Sequence, residues 1–352
     1  MDTKIARIEN VRECSAALEE AGSILRHGGL VAFPTETVYG LGGNGLDGSA
    51  CAEIYHAKGR PSDNPLILHV ANRAMVDCAV KSVPLMAEKL MAAFCPGPIT
   101  LIMEKSDAVP KSITGGLSTV GIRMPDHDVA RAMIQAAGVP IAAPSANLSG
   151  RPSPTTAEAV RKDMDGRIPM ILDGGACRFG VESTIVDCTA GTAMILRPGA
   201  ITREMLREVL GEVELDPALV GEDTVPRAPG MKYRHYAPKA PMTLLEGSPK
   251  GMLFAFEKEA ERLREQGRQA GVIASTEVIA GLKGILPQEF LVDYGRQGDF
   301  PSIAANIYEA LRSFDDKPVD CLLAEGTTED GLGLAIMNRM RKASGFQSMV
   351  VE

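Results

Sequence analysis

The chain has 352 residues, 45% of them hydrophobic and 23% charged, which is the balance of an ordinary soluble globular protein and enough length for two domains. A formal net charge of −8 argues against a surface coated in nucleic acid, and no apolar run is long enough to span a bilayer. Aromatics are only 4% and tryptophan is absent, so the core must be aliphatic and methionine-rich.

Met1 to Asn10 alternates charged and apolar residues, unlike a secretory signal. The 7 cysteines form no Cys-x-x-Cys pair and cannot all be bridged, which fits free thiols in a reducing cytoplasm. Val11 to Arg26 reads as an amphipathic helix stopped by Gly28 and Gly29, followed by a strand over Leu30 to Phe33. Ala50 to Ala57 reads as a helix and Leu66 to Val70 as a strand. Val83 to Phe94 is helical, Thr100 to Met103 and Thr119 to Met124 strand-like, Val129 to Ala137 helical, and Pro140 to Ala143 a short strand. Further strands at Met170 to Leu172, Thr184 to Val186 and Ala193 to Leu196 precede a helix over Arg203 to Leu210. Several strands without a helix between them predict a mixed sheet with helices against it.

A second pattern begins near Met242. Strands at Met242 to Leu245, Met252 to Phe256, Val272 to Ala274, Phe290 to Val292 and Cys321 to Leu323 alternate with helices. The helices are Phe256 to Gln266, Ser302 to Phe314 and Leu334 to Ala343, and the alternation predicts a small doubly wound sheet. Between the two patterns, Pro226 to Pro241 is proline-rich and basic without an acid. It fits a lid over an anion, and composition alone allows a solvated spacer equally well.

Four stretches could carry chemistry. Gly40-Leu-Gly42-Gly-Asn-Gly45 fits G-x-G-x-x-G, but Pro34 to Tyr39 separates it from the strand and no acid follows at the required place, so it reads as a glycine-rich turn rather than a dinucleotide site. Lys58-Gly-Arg60, in a loop stiffened by Pro61 and Pro65, presents a point charge and a planar fork suited to polyphosphate; a solvated surface loop is the plainer alternative. Ser145-Ala-Asn147 follows a strand and offers hydrogen-bonding groups at its carboxyl end, where open α/β sheets bind ligands. Arg123, at the end of another strand, suits a carboxylate; Arg197 is a second strand-to-loop arginine, and Ser183 puts a hydroxyl at the beginning of a strand. The 5 histidines show no zinc spacing, and there is neither a G-x-S-x-G elbow nor a Walker-type loop. His69 is the histidine kept as a pocket candidate.

These segments together resemble the YrdC-like family of threonylcarbamoyl-AMP synthases. The matching stretches are Pro34-Thr-Glu-Thr-Val-Tyr-Gly-Leu41, Lys58-x-Arg60 with Pro65-Leu66, Gly121 to Pro125, Pro144 to Gly150, Ser183-Thr-Ile185 and Arg197-Pro-Gly199. His235 to Pro241 and the α/β segment after it resemble the longer, two-domain form. The resemblance implies an N-terminal YrdC-like α/β domain with a mixed twisted sheet over 1–210, a basic linker or lid over 211–241, and a smaller Rossmann-like doubly wound domain over 242–352. It implies joining of L-threonine, bicarbonate and ATP into L-threonylcarbamoyladenylate, the first step of N6-threonylcarbamoyladenosine formation in transfer RNA. Lys58, Ser62, Thr119, Ser145, Ser153, Arg197 and Tyr236 would contact the nucleotide, and Thr35, His69, Arg123, Ala143 and Ser183 would hold threonine. Arg60 and Asn147 complete the signature, Arg60 with Lys58 as a catalytic cation and Asn147 on the ATP side. Mg²⁺ bridging the phosphates with few protein ligands, hand-over to a threonylcarbamoyl transferase complex, a weak contact with transfer RNA and a cytoplasmic location are further expectations.

Two rivals carry different signatures. An RNA-binding module would show steeply salt-dependent affinity without ATP turnover. Carbamoyl-adenylate synthesis, as in hydrogenase-maturation proteins, would use carbamoyl phosphate in place of threonine.

Overall fold

The first turn of structure follows from local chemistry at helix ends. A computed structural model describes residues 2–219 and 235–352. After strand β1 (Lys4–Arg7), helix α1 (Ser15–Arg26) buries Leu18, Ala21, Gly22 and Leu25 on one stripe and stops at His27, with Gly28 at φ 82°. Strands β2 (Val31–Phe33) and β3 (Gly40–Asn44) form an antiparallel pair around the Pro34 to Tyr39 loop. The glycine-rich stretch expected to be a turn is therefore mostly a buried strand. Its missing side chains let β2, β7 and neighbouring residues approach closely.

Helix α2 (Gly48–Lys58) is capped by Asp47, which accepts a hydrogen bond from Ser49 N, and ends on Gly59 at φ 61°. Strand β4 (Ile67–His69), helices α3 (Arg73–Ala79) and α4 (Leu85–Phe94), strand β5 (Ile99–Glu104), helix α5 (Lys111–Thr114) and strand β6 (Thr119–Arg123) follow. Helix α6 (Asp128–Ala137) packs on α1, where a Cβ at Gly22 would meet Ala136 carbonyl carbon at 2.6 Å. Strand β7 (Ile141–Ala143), helix α7 (Ala157–Met164), strands β8 (Met170–Asp173), β9 (Thr184–Asp187) and β10 (Ala193–Arg197), helix α8 (Arg203–Leu210) and strand β11 (Val213–Leu215) complete the first part. The strands form one mixed, 11-stranded sheet in the order β1-β8-β2-β3-β7-β4-β6-β5-β9-β10-β11. Helices pack against it over two apolar clusters, one around Leu41, Ile54, Leu68 and Leu90, the other around Leu25, Phe33, Met133 and Leu172.

The later part has a separate sheet. Strand β12 (Met242–Gly247), helix α9 (Pro249–Glu265), strand β13 (Ala270–Ala274), helix α10 (Thr276–Leu282) and strand β14 (Leu291–Asp293) come first. Helix α11 (Phe300–Arg312), strand β15 (Cys321–Glu325), helix α12 (Gly333–Ala343) and strand β16 (Ser348–Val351) follow. All its strand pairs are parallel, in the order β14-β13-β15-β12-β16. Met252 to Phe256, expected as a strand, lies inside α9. Pro249 starts the helix, and Met252, Phe256, Ala260 and Leu263 recur at helical spacing as its buried stripe. By its internal contacts the chain divides into two compact units, Met1–Ser149 with Ser153–Lys232 and Gly150–Pro152 with Tyr233–Glu352. Each has its own apolar core. Of the expected linker, 220–234 lies outside the described residues, and β11 within 211–219 pairs with β10 of the first sheet.

Candidate active site

Register brings the first candidates together. β4 and β6 run parallel with His69 opposite Arg123, and β7 runs antiparallel to β4 with Ala143 opposite Ile67. Ser145 follows the carboxyl end of β7 as expected, but that end lies toward the amino ends of β4 and β6, so the parallel-sheet rule does not gather these residues at one edge. Candidate residues instead run along the sheet, from His69 and Arg123 at one end of these strands to Thr119 and Ser145 at the other.

The Pro34 to Tyr39 loop is stitched to the segment after β7: Leu41 N donates to Pro144 O at 2.9 Å, and Ala146 N to Tyr39 O at 2.8 Å. This presents Thr35 to Arg123, whose Nη2 donates to Thr35 Oγ1 at 3.2 Å and to Thr37 Oγ1 at 2.7 Å. The same nitrogen lies 2.9 Å from Glu36 Oε2. Thr35, Glu36, Thr37, His69 and Arg123 are all buried. His69 stands edge-on to the Phe33 ring at 5.7 Å. Desolvation, reinforced by Arg123, pushes its imidazole down to about 3, so it is neutral at physiological pH. Burial pushes the Cys95 thiol up to about 11 and lowers His127, leaving both uncharged near neutrality.

A second cluster forms around Lys58 at the end of α2. Its buried ammonium donates to the carbonyl oxygens of Ser145 and Asn147 and, at 3.4 Å, to Asn147 Oδ1. Ser145 Oγ also donates to Asn147 Oδ1, and Asp163 of α7 accepts from Leu148 N at 3.2 Å. The Lys-x-Arg and Ser-x-Asn stretches thus form one unit through Lys58. Arg60 stiffens its own loop, with Nη2 donating to Pro65 O at 3.1 Å.

The third cluster joins Ser183 and Arg197. Arg197 Nη2 donates to Ser183 Oγ at 3.1 Å and to Ser183 O at 3.0 Å, while Thr100 Oγ1 pairs with Ser183 Oγ at 2.8 Å. A Cβ at Gly199 would meet Thr184 N at 2.4 Å, so only glycine permits this close return of the chain. Ser153 Oγ donates to buried Glu182 Oε1 at 2.6 Å. Thr119 begins β6, and Ser62 is exposed on the loop after α2.

Tyr236 belongs to the second unit, where it is buried at φ 64° and stacked on Tyr308 with ring centroids 5.4 Å apart. Among the described residues no cluster of three His, Cys, Asp or Glu could hold a metal ion, and no helix is long and apolar enough to cross a membrane. Sequence reasoning did not single out Glu36, Thr37, Thr100, Asp163 or Glu182. The first two lie inside the Pro34 to Leu41 stretch; the others had no local signal.

Residues 23–199 match the family model described as "Telomere recombination", and residues 201–345 match "Threonylcarbamoyl-AMP synthase, C-terminal domain". Threonylcarbamoyl-AMP synthase of Pyrococcus abyssi is 47% identical over 98% of this chain and 99% of its own length. The Bacillus subtilis protein of the same name is 46% identical, covering 93% of each chain. The crystal structure of Pyrococcus abyssi Sua5 complexed with L-threonine has a TM-score of 0.93 at 45% identity, covering 99% of this chain and 100% of that one. With both family models matched in order and identity sustained along the chain, this protein belongs to the threonylcarbamoyl-AMP synthase family.

Proposed function

We propose that the chain is a nucleotidyltransferase that condenses L-threonine, bicarbonate and ATP into L-threonylcarbamoyladenylate and releases pyrophosphate. The observation that carries this is the pairing of two buried polar clusters on one sheet: Lys58 locked into the Ser145–Asn147 loop, and Arg123 held against Thr35 beside His69. Threonine's α-ammonium gives up a proton, and the resulting amine takes up the bicarbonate carbon with loss of water to form the carbamate. The carbamate oxygen then forms a bond to the α-phosphorus of ATP as the bond to pyrophosphate breaks. Such a displacement depends on in-line placement and on neutralising phosphate charge.

In this reading Lys58, Ser62, Thr119, Ser145, Asn147, Ser153, Arg197 and Tyr236 serve ATP, with Arg60 beside Lys58. Thr35, His69, Arg123, Ala143 and Ser183 serve threonine. The donor set around Lys58 and Arg197 suits phosphate oxygens, and among the described residues no cluster of three His, Cys, Asp or Glu could hold a metal ion. Mg²⁺ would therefore arrive on the nucleotide, where it would spread the phosphate charge. We assign catalysis to 1–210, a lid to the part of 211–241 that follows β11, and a supporting role to 242–352. The product passes to a threonylcarbamoyl transferase complex acting on transfer RNA in the cytoplasm, with at most a weak contact between this chain and the RNA.

Pyrophosphate release tests the proposal. It should require ATP, threonine and bicarbonate together, and carbamoyl phosphate should not replace threonine. Lys58→Ala should lower the rate by about 100-fold or more. Full activity in that variant overturns the phosphate assignment.

A further inference from the structure

Glu36 sits between Thr35 and Thr37 with 2% of its surface exposed. Its neighbour Arg123 approaches to 2.9 Å, yet the two protons on Nη2 are already donated to the threonine hydroxyls. The Thr35 hydroxyl donates onward to Val38 O at 2.6 Å, which leaves the Thr37 hydroxyl to donate to Thr35 at 2.9 Å. These donors end without reaching Glu36. Neither of its carboxylate oxygens, nor Arg123 Nε, has a hydrogen-bond partner among the described residues.

A second buried acid shows what completion looks like. Glu325, 4% exposed in the second unit, accepts from Ser275 N at 2.6 Å and from Gln297 Nε2 at 2.9 Å. A buried carboxylate without donors is costly, and its persistence calls for a ligand that supplies them. The other titratable groups facing Glu36 do not supply a cation. Cys95 is a neutral thiol, and burial lowers His127, whose Nδ1 is also without a partner.

The carboxylate needs a cationic N–H donor, and Arg123 Nε needs an acceptor. With the two side chains 2.9 Å apart at Nη2 and Oε2, these unmet needs match the ammonium and carboxylate carried on one carbon of an α-amino acid. The pair is also net neutral, as the zwitterion is, so binding leaves no unbalanced buried charge. We propose that Glu36 holds the α-ammonium of the amino-acid substrate while Arg123 holds its carboxylate. Glu36 is then what selects an amino acid over the corresponding acid without an amine. This rests on the assignment of threonine to the Arg123 pocket.

Calorimetry on the full chain, with L-threonine and with (R)-3-hydroxybutanoate (threonine lacking its amine), tests the proposal. Glu36→Gln should narrow the preference for threonine by about 10- to 100-fold, chiefly by weakening threonine. Glu36→Asp keeps the charge and should retain the preference to within about threefold, and it is read in the same way if the glutamine variant does not fold. Arg123→Met should weaken both ligands. An unchanged preference in Glu36→Gln, or equal weakening of both ligands as expected if Glu36 merely braces Arg123, overturns the proposal. If Arg123→Met also leaves threonine binding intact, the pocket assignment falls with it.

Discussion

Burial and a neighbouring guanidinium keep the His69 imidazole neutral, and this has a measurable cost in acid. Its folded value of about 3 lies below the ordinary 6.5, so between those values the unfolded chain binds the proton and the folded one does not. Stability is intact above 6.5 and falls as pH drops toward 3, by up to about 1.4 kcal/mol per pH unit from this group. His69→Gln removes the term. Its melting temperature should therefore fall less than that of the unsubstituted chain between pH 7 and pH 4, and parallel curves would remove His69 from the account. Much at this scale was legible: Lys58, Arg60, Ser145, Asn147 and Arg123 stand out as donors in stiff or strand-end positions. Glu36 and Glu182 did not, because an acid's meaning depends on whether its oxygens are satisfied in three dimensions.

At the scale of elements, glycine in β3 decides how closely the sheet can pack. A Cβ at Gly45, immediately after that strand, would meet Leu68 Cδ2 at 2.5 Å and Pro140 O at 2.7 Å. Gly45→Ala should destabilise the protein by about 1–3 kcal/mol, read as a lower denaturant midpoint. Gly191→Ala, where nothing lies within 4 Å, should stay within about 0.5 kcal/mol of the unsubstituted chain. Equal effects would mean that close approach is not what Gly45 provides. Helical periodicity revealed α1, α6 and α8 from sequence, whereas the apolar run at Met252 looked like a strand because five residues cannot separate the two periods. The direction of β7 was also unreadable, since a three-residue strand carries no signal for its partner's orientation.

For the whole molecule, separate cores predict separable folding. A chain ending at Leu219 keeps β11 against β10, whereas one ending at Leu210 exposes β10 as an open edge. The longer piece should be monomeric and bind threonine by calorimetry, and the shorter should aggregate at equal concentration. If the segment beyond Leu219 closes over the nucleotide, the longer piece also loses pyrophosphate release. Unchanged turnover overturns the lid.

The sequence by itself determined the α/β class, the change of pattern near Met242 and the family, because these reside in composition, periodicity and short motifs. Tertiary structure alone decided that Lys58 is tied to a loop 87 residues away, that Arg123 has its Nη2 protons committed to Thr35 and Thr37, and that the Glu36 carboxylate, though 2.9 Å from Arg123, accepts no hydrogen bond from the described residues. Those facts depend on which hydrogen bonds remain unmade after distant strands have paired, and no local pattern carries that information.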